Sequence, residues 1–322
     1  MDTAGDDGTA GVAEAYRVFA RLEAHGRSAA YESLALAVAQ DADIVGFVAA
    51  LPADKRQPNL LFAAARYLLG APASIGSLRD LVRDGSADLG AVLRARRTQT
   101  NEPARCAMFL PLLAQLPEPL ALIDVGASAG LTMLFDRYSY DYAGHRLAGA
   151  DPDAPTLRCR VAGPVPVPRR IPAIAWRIGL DLNPLDITDE DDVRWLCCLV
   201  WPDEEDRARR LCAPIGSARR SPPTVIRGDL VTDLPAVVAR APGDATVVVY
   251  HSSVLYYVAP AQREQFARTV RDLGVSWLTS EAPGVVPGTD RPSRDGQMTV
   301  LARDGRPVAL ADSHGTRLQW LD

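Results

Sequence analysis

The first third of the chain has helical spacing. From residue 12 to about 97, apolar positions recur three and four residues apart, as in Tyr31, Leu34, Ala35 and Val38. That period predicts amphipathic helices over 12–25, 28–40, 43–51, 60–69, 77–83 and 89–97. Gly70 stands where the fourth must stop, with Pro72 just beyond. A further helix is expected from Asn101, with Pro103 in its first turn and Pro111 kinking it. No strand pattern stands out before residue 120.

The period then changes. Short apolar runs at 121–125, 173–180, 224–226, 246–250 and 275–279 end in polar or loop residues. Helical patterns fall between several of them, at 189–199 running on towards 211, at 234–240 and at 260–273. Strand and helix in alternation predict an α/β fold, a mostly parallel sheet covered on both faces. The end differs: 298–303, Asp304-Gly305 and 307–310 read as an antiparallel hairpin, and 317–321 as one more strand. The Pro-rich stretch 138–172, with alternation over 156–161, reads as an insertion carrying its own β hairpin. The organisation expected is a disordered N-terminus over 1–11, an all-helical domain over 12–117 and an α/β domain over 118–322.

Composition narrows the function classes. The 322 residues are 48% hydrophobic and 23% charged, ordinary for an ordered globular chain. No apolar run approaches the ~18 residues that span a bilayer. The acidic, Gly/Ala-rich start is the reverse of a secretory signal. Five cysteines without a CxxC pair predict reduced thiols in the cytoplasm, no disulfide framework and no metal. A net charge of -5 and a pI near 5.5 argue against nucleic acid as partner. A small molecule or peptide is the expected client, with no membrane partner.

The most informative segment is the run Leu-Ile-Asp-Val-Gly-Ala-Ser-Ala-Gly-Leu at 122–131. Glycines directly after a buried strand let the backbone turn sharply and approach a ligand, and a helix following them would aim its amides at it. Three readings stand: a plain strand-to-helix turn, a nucleotide-type cofactor loop, and a nucleophile elbow, since 126–130 also fits G-x-S-x-G. The dinucleotide fingerprint fails because Ser128 holds its second glycine position. An elbow normally follows several strands, whereas only helices precede this loop. A triad of Ser128, Asp229 and His251 or His314 can still be written in the right chain order.

The run from Asp124 to Gly130 resembles the first motif of class I S-adenosylmethionine-dependent methyltransferases, with Ser128 for the usual middle glycine. The whole chain from about residue 30 is also similar to an uncharacterised, mainly actinobacterial family known only as a domain of unknown function. The strings that carry this second likeness lie at 97–102, 123–131, 136–142, 179–184, 227–229 and 250–252. The resemblance implies a Rossmann-like methyltransferase fold and S-adenosyl-L-methionine as cofactor. It further implies that Asp229 would meet the adenine amino group while Leu230 packs on the ring.

Physical reading adds the other candidates. Asp181 ends an apolar strand, where a carboxylate can accept from ribose hydroxyls, though 124 to 181 is a wider gap than the ~20 residues usual in a nucleotide-binding unit. The candidate cofactor contacts are Asp124, Gly126, Ala127, Ser128, Gly130, Leu131, Asp181, Leu182, Asp229, Leu230, Tyr250 and His251. His251, after a strongly apolar strand, is the candidate general base, with Glu281 and Tyr138 as further catalytic candidates. Arg97, Asn101, Glu102, Tyr140, Tyr142 and Ser252 are the candidate substrate contacts. Tyr138, Tyr140 and Tyr142 also fit core packing, since they recur at period two. The function expected is methyl transfer to a nitrogen or oxygen of a small molecule or peptide, roofed by the helical domain and the inserted hairpin. The alternatives are a serine hydrolase using Ser128 and a non-catalytic cofactor-binding protein.

Overall fold

The computed structural model describes residues 4–290 and 298–321. Its first elements are α1 (Ala4–Phe19), α2 (Ala29–Val38), α3 (Ala42–Ala49), α4 (Pro58–Leu69), α5 (Ile75–Asp84), α6 (Ser86–Ala95) and α7 (Arg105–Leu113). Then come β1 (Leu120–Val125), β2 (Ser139–Tyr142), β3 (His145–Leu147), β4 (Thr156–Arg158), β5 (Arg160–Ala162) and β6 (Ile174–Asp181). They are followed by α8 (Glu190–Cys198), α9 (Glu205–Arg220), β7 (Val225–Arg227), α10 (Leu234–Val238) and β8 (Thr246–Ser252). The last elements are α11 (Pro260–Asp272), β9 (Ser276–Glu281), β10 (Met298–Arg303), β11 (Arg306–Asp312) and β12 (Arg317–Trp320). No described helix is long and apolar enough to cross a membrane.

The chain divides into two units, and not at residue 117. The helical unit holds the described residues up to Thr100 together with Asp189–Arg209; the sheet unit holds Asn101–Thr188 and the described residues from Arg210 onward. So α7 belongs with the sheet, and α8, read from sequence as a covering helix of the sheet, belongs with the helical unit. The reason is visible in α8: Trp195 is fully buried, and its indole N–H donates to the carbonyl of Arg97 at 3.0 Å. Residues 4–11, expected to be disordered, form the first turns of α1. Gly70 ends α4 at φ 72°, as its place in the sequence suggests, and Ser28 caps α2 by accepting from the Tyr31 amide. An aromatic core of Tyr16, Phe19, Tyr31, Phe62 and Trp201 fills this unit, with ring centroids 4.9–6.0 Å apart.

The sheet unit is built on nine strands in the order β5-β12-β11-β10-β9-β8-β1-β6-β7. The pairs β7–β6, β6–β1, β1–β8 and β8–β9 are parallel, whereas β9–β10, β10–β11 and β11–β12 are antiparallel. The sheet is therefore mostly parallel with an antiparallel C-terminal meander. Its predicted hairpin turns through Asp304 and Gly305, at φ 53° and 76°, the left-handed pair that a two-residue turn demands. Ile123, Val125, Ile178, Val249, Phe266, Val270 and Trp277 fill the core against α10 and α11.

Two expectations about the insertion change. Its hairpin is β2–β3, at 139–147, with β4 parallel to β2 in a small second sheet. The alternating stretch 156–161 splits instead, and β5 joins the far edge of the large sheet beside β12. The helix expected after the glycine loop is only a single tight turn, Leu131–Met133. Side chains take the carbonyls that a helix would need. Tyr138 Oη donates to Leu131 O at 2.7 Å, Tyr250 Oη to Thr132 O at 3.2 Å, Arg177 Nη1 to Met133 O at 3.0 Å and Tyr140 Oη to Phe135 O at 2.8 Å.

Candidate functional site

The glycine loop leaves β1 at its carboxyl end, between the ends of β6 and β8. Gly126, Ser128 and Gly130 have φ of 75°, 53° and 74°. Two of these left-handed positions need glycine twice over. A Cβ on Gly126 would stand 2.4 Å from Val254 Cγ2, and one on Gly130 would stand 2.7 Å from Pro223 Cγ. Gly179 of β6 is glycine for a related reason, since its Cβ would meet that of Ala127 at 2.6 Å.

Neighbouring side chains fix the loop. The Ser128 amide donates to Asp181 Oδ2 at 2.8 Å, and Asp181 Oδ1 accepts from the Asn183 amide at 2.7 Å. Asn101, read as a helix start, instead spans the loop: its Nδ2 donates to Ala127 O at 3.0 Å and its Oδ1 accepts from the Leu131 amide at 2.8 Å. The amides of Ala127 and Ala129 have no acceptor among the described residues. Behind the loop, Asp124 is buried and accepts from Thr132 Oγ1. Burial pushes its carboxyl up to about 7 against the Thr132 hydrogen bond, and the nearby Asp181 charge adds to the rise.

Several candidate contacts turn inward. Asp229 accepts from the amides of Val231 and Thr232 at 2.7 and 3.1 Å, a turn-closing role, and Leu230 lies in the hydrophobic core rather than beside a ring site. Tyr250 is buried edge-on to Phe109 and Phe135. Tyr138, Tyr140 and Tyr142 are buried, each phenol donating to a backbone carbonyl; Tyr142 reaches Ala107 O at 2.7 Å. Burial holds all three hydroxyls well above the ordinary tyrosine range, so Tyr138 is no proton carrier and the other two are no substrate contacts. Glu102 is buried and accepts from Arg210 Nε at 3.2 Å. Ser252 Oγ is buried, and its carbonyl accepts from Arg105 Nη1 at 3.1 Å. Arg97, in the helical unit, faces Asp54 at 3.6 Å. Asp181 and Leu182 stay open, the first half-buried and the second 61% exposed.

The edge formed by β8 and β9 is a closed network. His251 and Glu281 are fully buried. Trp277 Nε1 donates to His251 Nε2 at 3.1 Å, and an indole N–H can only donate, so the imidazole proton sits on Nδ1 and donates to Glu281 Oε1 at 2.8 Å. The same oxygen accepts from the amides of Val254 and Leu255 at 2.8 and 3.1 Å, while Glu281 Oε2 is buried without a partner. With both ring nitrogens engaged and no exposure, His251 is not an open general base, and Glu281 is an anchor for the loop after β8. Sequence reasoning missed Trp277, Val254, Thr132 and Arg105. The strand register reveals Trp277, because it sets His251 opposite Thr279 and Trp277 lies two residues earlier on the same face; the other three come from loops and a helix, where no sequence period signals them.

The described residues hold no cluster of three or more metal-ligating side chains. A family model described as an uncharacterised protein conserved in bacteria, DUF2332, matches residues 13–320. The chain belongs to DUF2332. The match runs through both units, so the helical unit and the sheet unit are both parts of the DUF2332 domain. No curated protein matches the chain. In this DUF2332 chain Ser128, Asp229 and His251 do not assemble as a triad. Ser128 is buried, Asp229 is bound to backbone amides, and His251 has no nitrogen left for a serine. What the edge offers is a strained, well-braced loop beside one half-buried carboxylate and one exposed leucine.

Proposed function

We propose that the sheet unit of this DUF2332 chain binds S-adenosylmethionine at the carboxyl ends of β6 and β1 and acts as a methyltransferase. The observation that carries this reading is the half-buried Asp181 carboxylate, next to a left-handed glycine loop and followed by the exposed Leu182. Support also comes from the strand order, since β1 leads to β6 and β7 on one side and β8 leads to β9 on the other. Open parallel sheets bind ligands outside the strand ends at such a reversal.

The residues fit the cofactor in part. Asp181 has the chemistry to accept from ribose hydroxyls and Leu182 could cover a purine face, whereas Ala127 and Ala129 are buried and do not present their amides to a ligand. Asp229 and Leu230 do not fit the adenine role, because one closes a turn and the other is core. When bound, the cofactor supplies an activated methyl group. The chain's own contribution is alignment: Asp181 and Leu182 would fix the ligand's position, and rigid placement is worth effective molarities of order 10⁵–10⁸ M in favourable cases. With His251, Glu281 and Tyr138 all closed off, the reading favours an acceptor atom that already carries a free lone pair at neutral pH.

Titration calorimetry with S-adenosylmethionine and S-adenosylhomocysteine tests this directly. Leu182→Glu, at an exposed position, should leave folding intact and weaken binding at least about tenfold, because a charge replaces apolar cover. Asp181→Asn should cost about 1.5–3 kcal/mol of binding, the range for a hydrogen bond to a charged group. No binding of either ligand to the wild-type chain at millimolar concentration would overturn the proposal.

A further inference from the structure

Among the described residues of the sheet unit, three large apolar side chains are exposed: Leu182, Tyr256 at 47% and Tyr257 at 52%. They are not scattered. Leu182 follows β6 and the tyrosines follow β8, and β6 and β8 are the two neighbours of β1. The exposed apolar surface of this unit therefore brackets the glycine loop.

The tyrosines are held in place. Their ring centroids lie 3.8 Å apart with planes inclined by 37°. Beneath them Leu255 is fully buried, and Glu281 Oε1 takes the Val254 and Leu255 amides. The Tyr257 amide donates to Val254 O at 3.1 Å. From α11, Arg263 donates to Tyr256 O at 3.0 Å and to Val258 O at 2.7 Å. Val254 itself packs against Gly126. A segment clamped from β9, from α11 and against the glycine loop leaves two aromatic rings about half exposed.

We propose that Tyr256 and Tyr257 form the wall of the ligand site on the β8 side of the glycine loop and bind a planar aromatic ring of the methyl acceptor. This rests on the reading of that edge as a small-molecule site. Two rings are far too small a patch for a stable protein interface, which buries roughly 1,200 Å² or more. The stretch 252–262 has no acidic side chain, so a ligand meets ring faces there and no carboxylate of that stretch. Clamped, pre-positioned phenols favour a flat ring at little entropic cost.

Ligand-observed NMR titration with phenol and 2-naphthol, against their saturated counterparts cyclohexanol and decahydro-2-naphthol, tests the wall. The aromatic probes should bind wild type, and the saturated ones at least about tenfold more weakly. The double variant Tyr256→Leu/Tyr257→Leu keeps apolar surface without flat rings and should lose at least about tenfold for the aromatic probes, with an unchanged thermal melt. The single variant Tyr257→Leu should show an intermediate loss and serves if the double variant is poorly folded. Equal binding of saturated probes, unchanged binding by the variants, or no aromatic binding to wild type each overturns the proposal. A parallel titration with S-adenosylhomocysteine separates the two readings. Its failure with intact aromatic binding removes the cofactor assignment alone, and the opposite result removes the tyrosine wall alone.

Discussion

The two halves of one sheet edge use the same residue types in opposite ways. On the β6–β1 side, Asp181 bonds two backbone amides yet stays half-buried, next to an exposed leucine. On the β8–β9 side, Glu281 also bonds two backbone amides, but it is fully buried and linked through His251 to Trp277. Burial separates their roles. A carboxylate that orders a loop and remains open can also meet a ligand, whereas one that orders a loop from beneath can only hold it.

The sharpest way to break this comparison is Glu281→Ala. It leaves three buried donors, His251 Nδ1 and the amides of Val254 and Leu255, without their acceptor. Removing one partner from such a buried network costs about 3–5 kcal/mol. Denaturant unfolding should show that loss, with faster hydrogen exchange at the Val254 and Leu255 amides. Asp181→Ala, removing a similar number of bonds at a wetter position, should cost less than half as much. Equal losses would sink the distinction.

The second test lies between the halves, at Asp124, which pairs in register with Gly179 of β6 and Tyr250 of β8. Its folded carboxyl titrates near 7, above the unfolded value near ~3.9. Between those values the folded chain holds a proton that the unfolded chain has released. Stability should therefore fall as pH rises through that window, by about 1.4 kcal/mol per unit and up to about 4 kcal/mol in all. Asp124→Asn removes the titration, so its stability relative to wild type should improve from pH 5 to pH 8. A difference independent of pH would show that the carboxyl is not protonated in the folded chain.

The parts of this fold legible in the sequence are those fixed by local pattern. The runs at 121–125 and 246–250 are strands because continuous apolar character suits a sheet buried on both faces. Asp304-Gly305 is a turn because few residue pairs tolerate two left-handed positions. The site was less legible because it depends on which way side chains point across strands. Leu182 and Leu230 both follow a strand-end acid, yet one is exposed and the other is core. Tyr138, Tyr140 and Tyr142 show the same limit: period two puts them on one face without saying that their hydroxyls bond backbone carbonyls. Nor can periodicity assign residues 189–209 to the helical unit, since amphipathic helices look alike whichever surface they cover.

A smaller effect tests how closely the halves are coupled. Gly126→Ala places a Cβ 2.4 Å from Val254 Cγ2 at a left-handed φ, so it should cost about 2–3 kcal/mol through overpacking and backbone strain. Val254→Ala in the same chain relieves the clash but not the strain. The double variant should therefore recover about 1 kcal/mol of coupling energy in a double-mutant cycle. Strict additivity would mean that the loop after β8 moves away freely.

The smallest expected effect concerns the single turn that replaces a helix after the glycine loop. Tyr138→Phe removes only the hydroxyl that donates to Leu131 O, keeping the buried ring. The carbonyl would lose a neutral partner in a dry environment, which costs about 1 kcal/mol, within the usual 0.5–1.5 range for a single hydrogen bond. Because Leu131 adjoins the loop that Asn101 holds, the loss should appear as faster exchange at the Leu131 amide as well as a slightly lower melting temperature. The proposed methyl transfer should fall by no more than about threefold, since the phenol only braces the backbone. A fall of the ~10²–10⁴-fold typical of a missing acid or base, with the melt unchanged, would restore Tyr138 to the chemistry and show that the turn opens enough to free its hydroxyl.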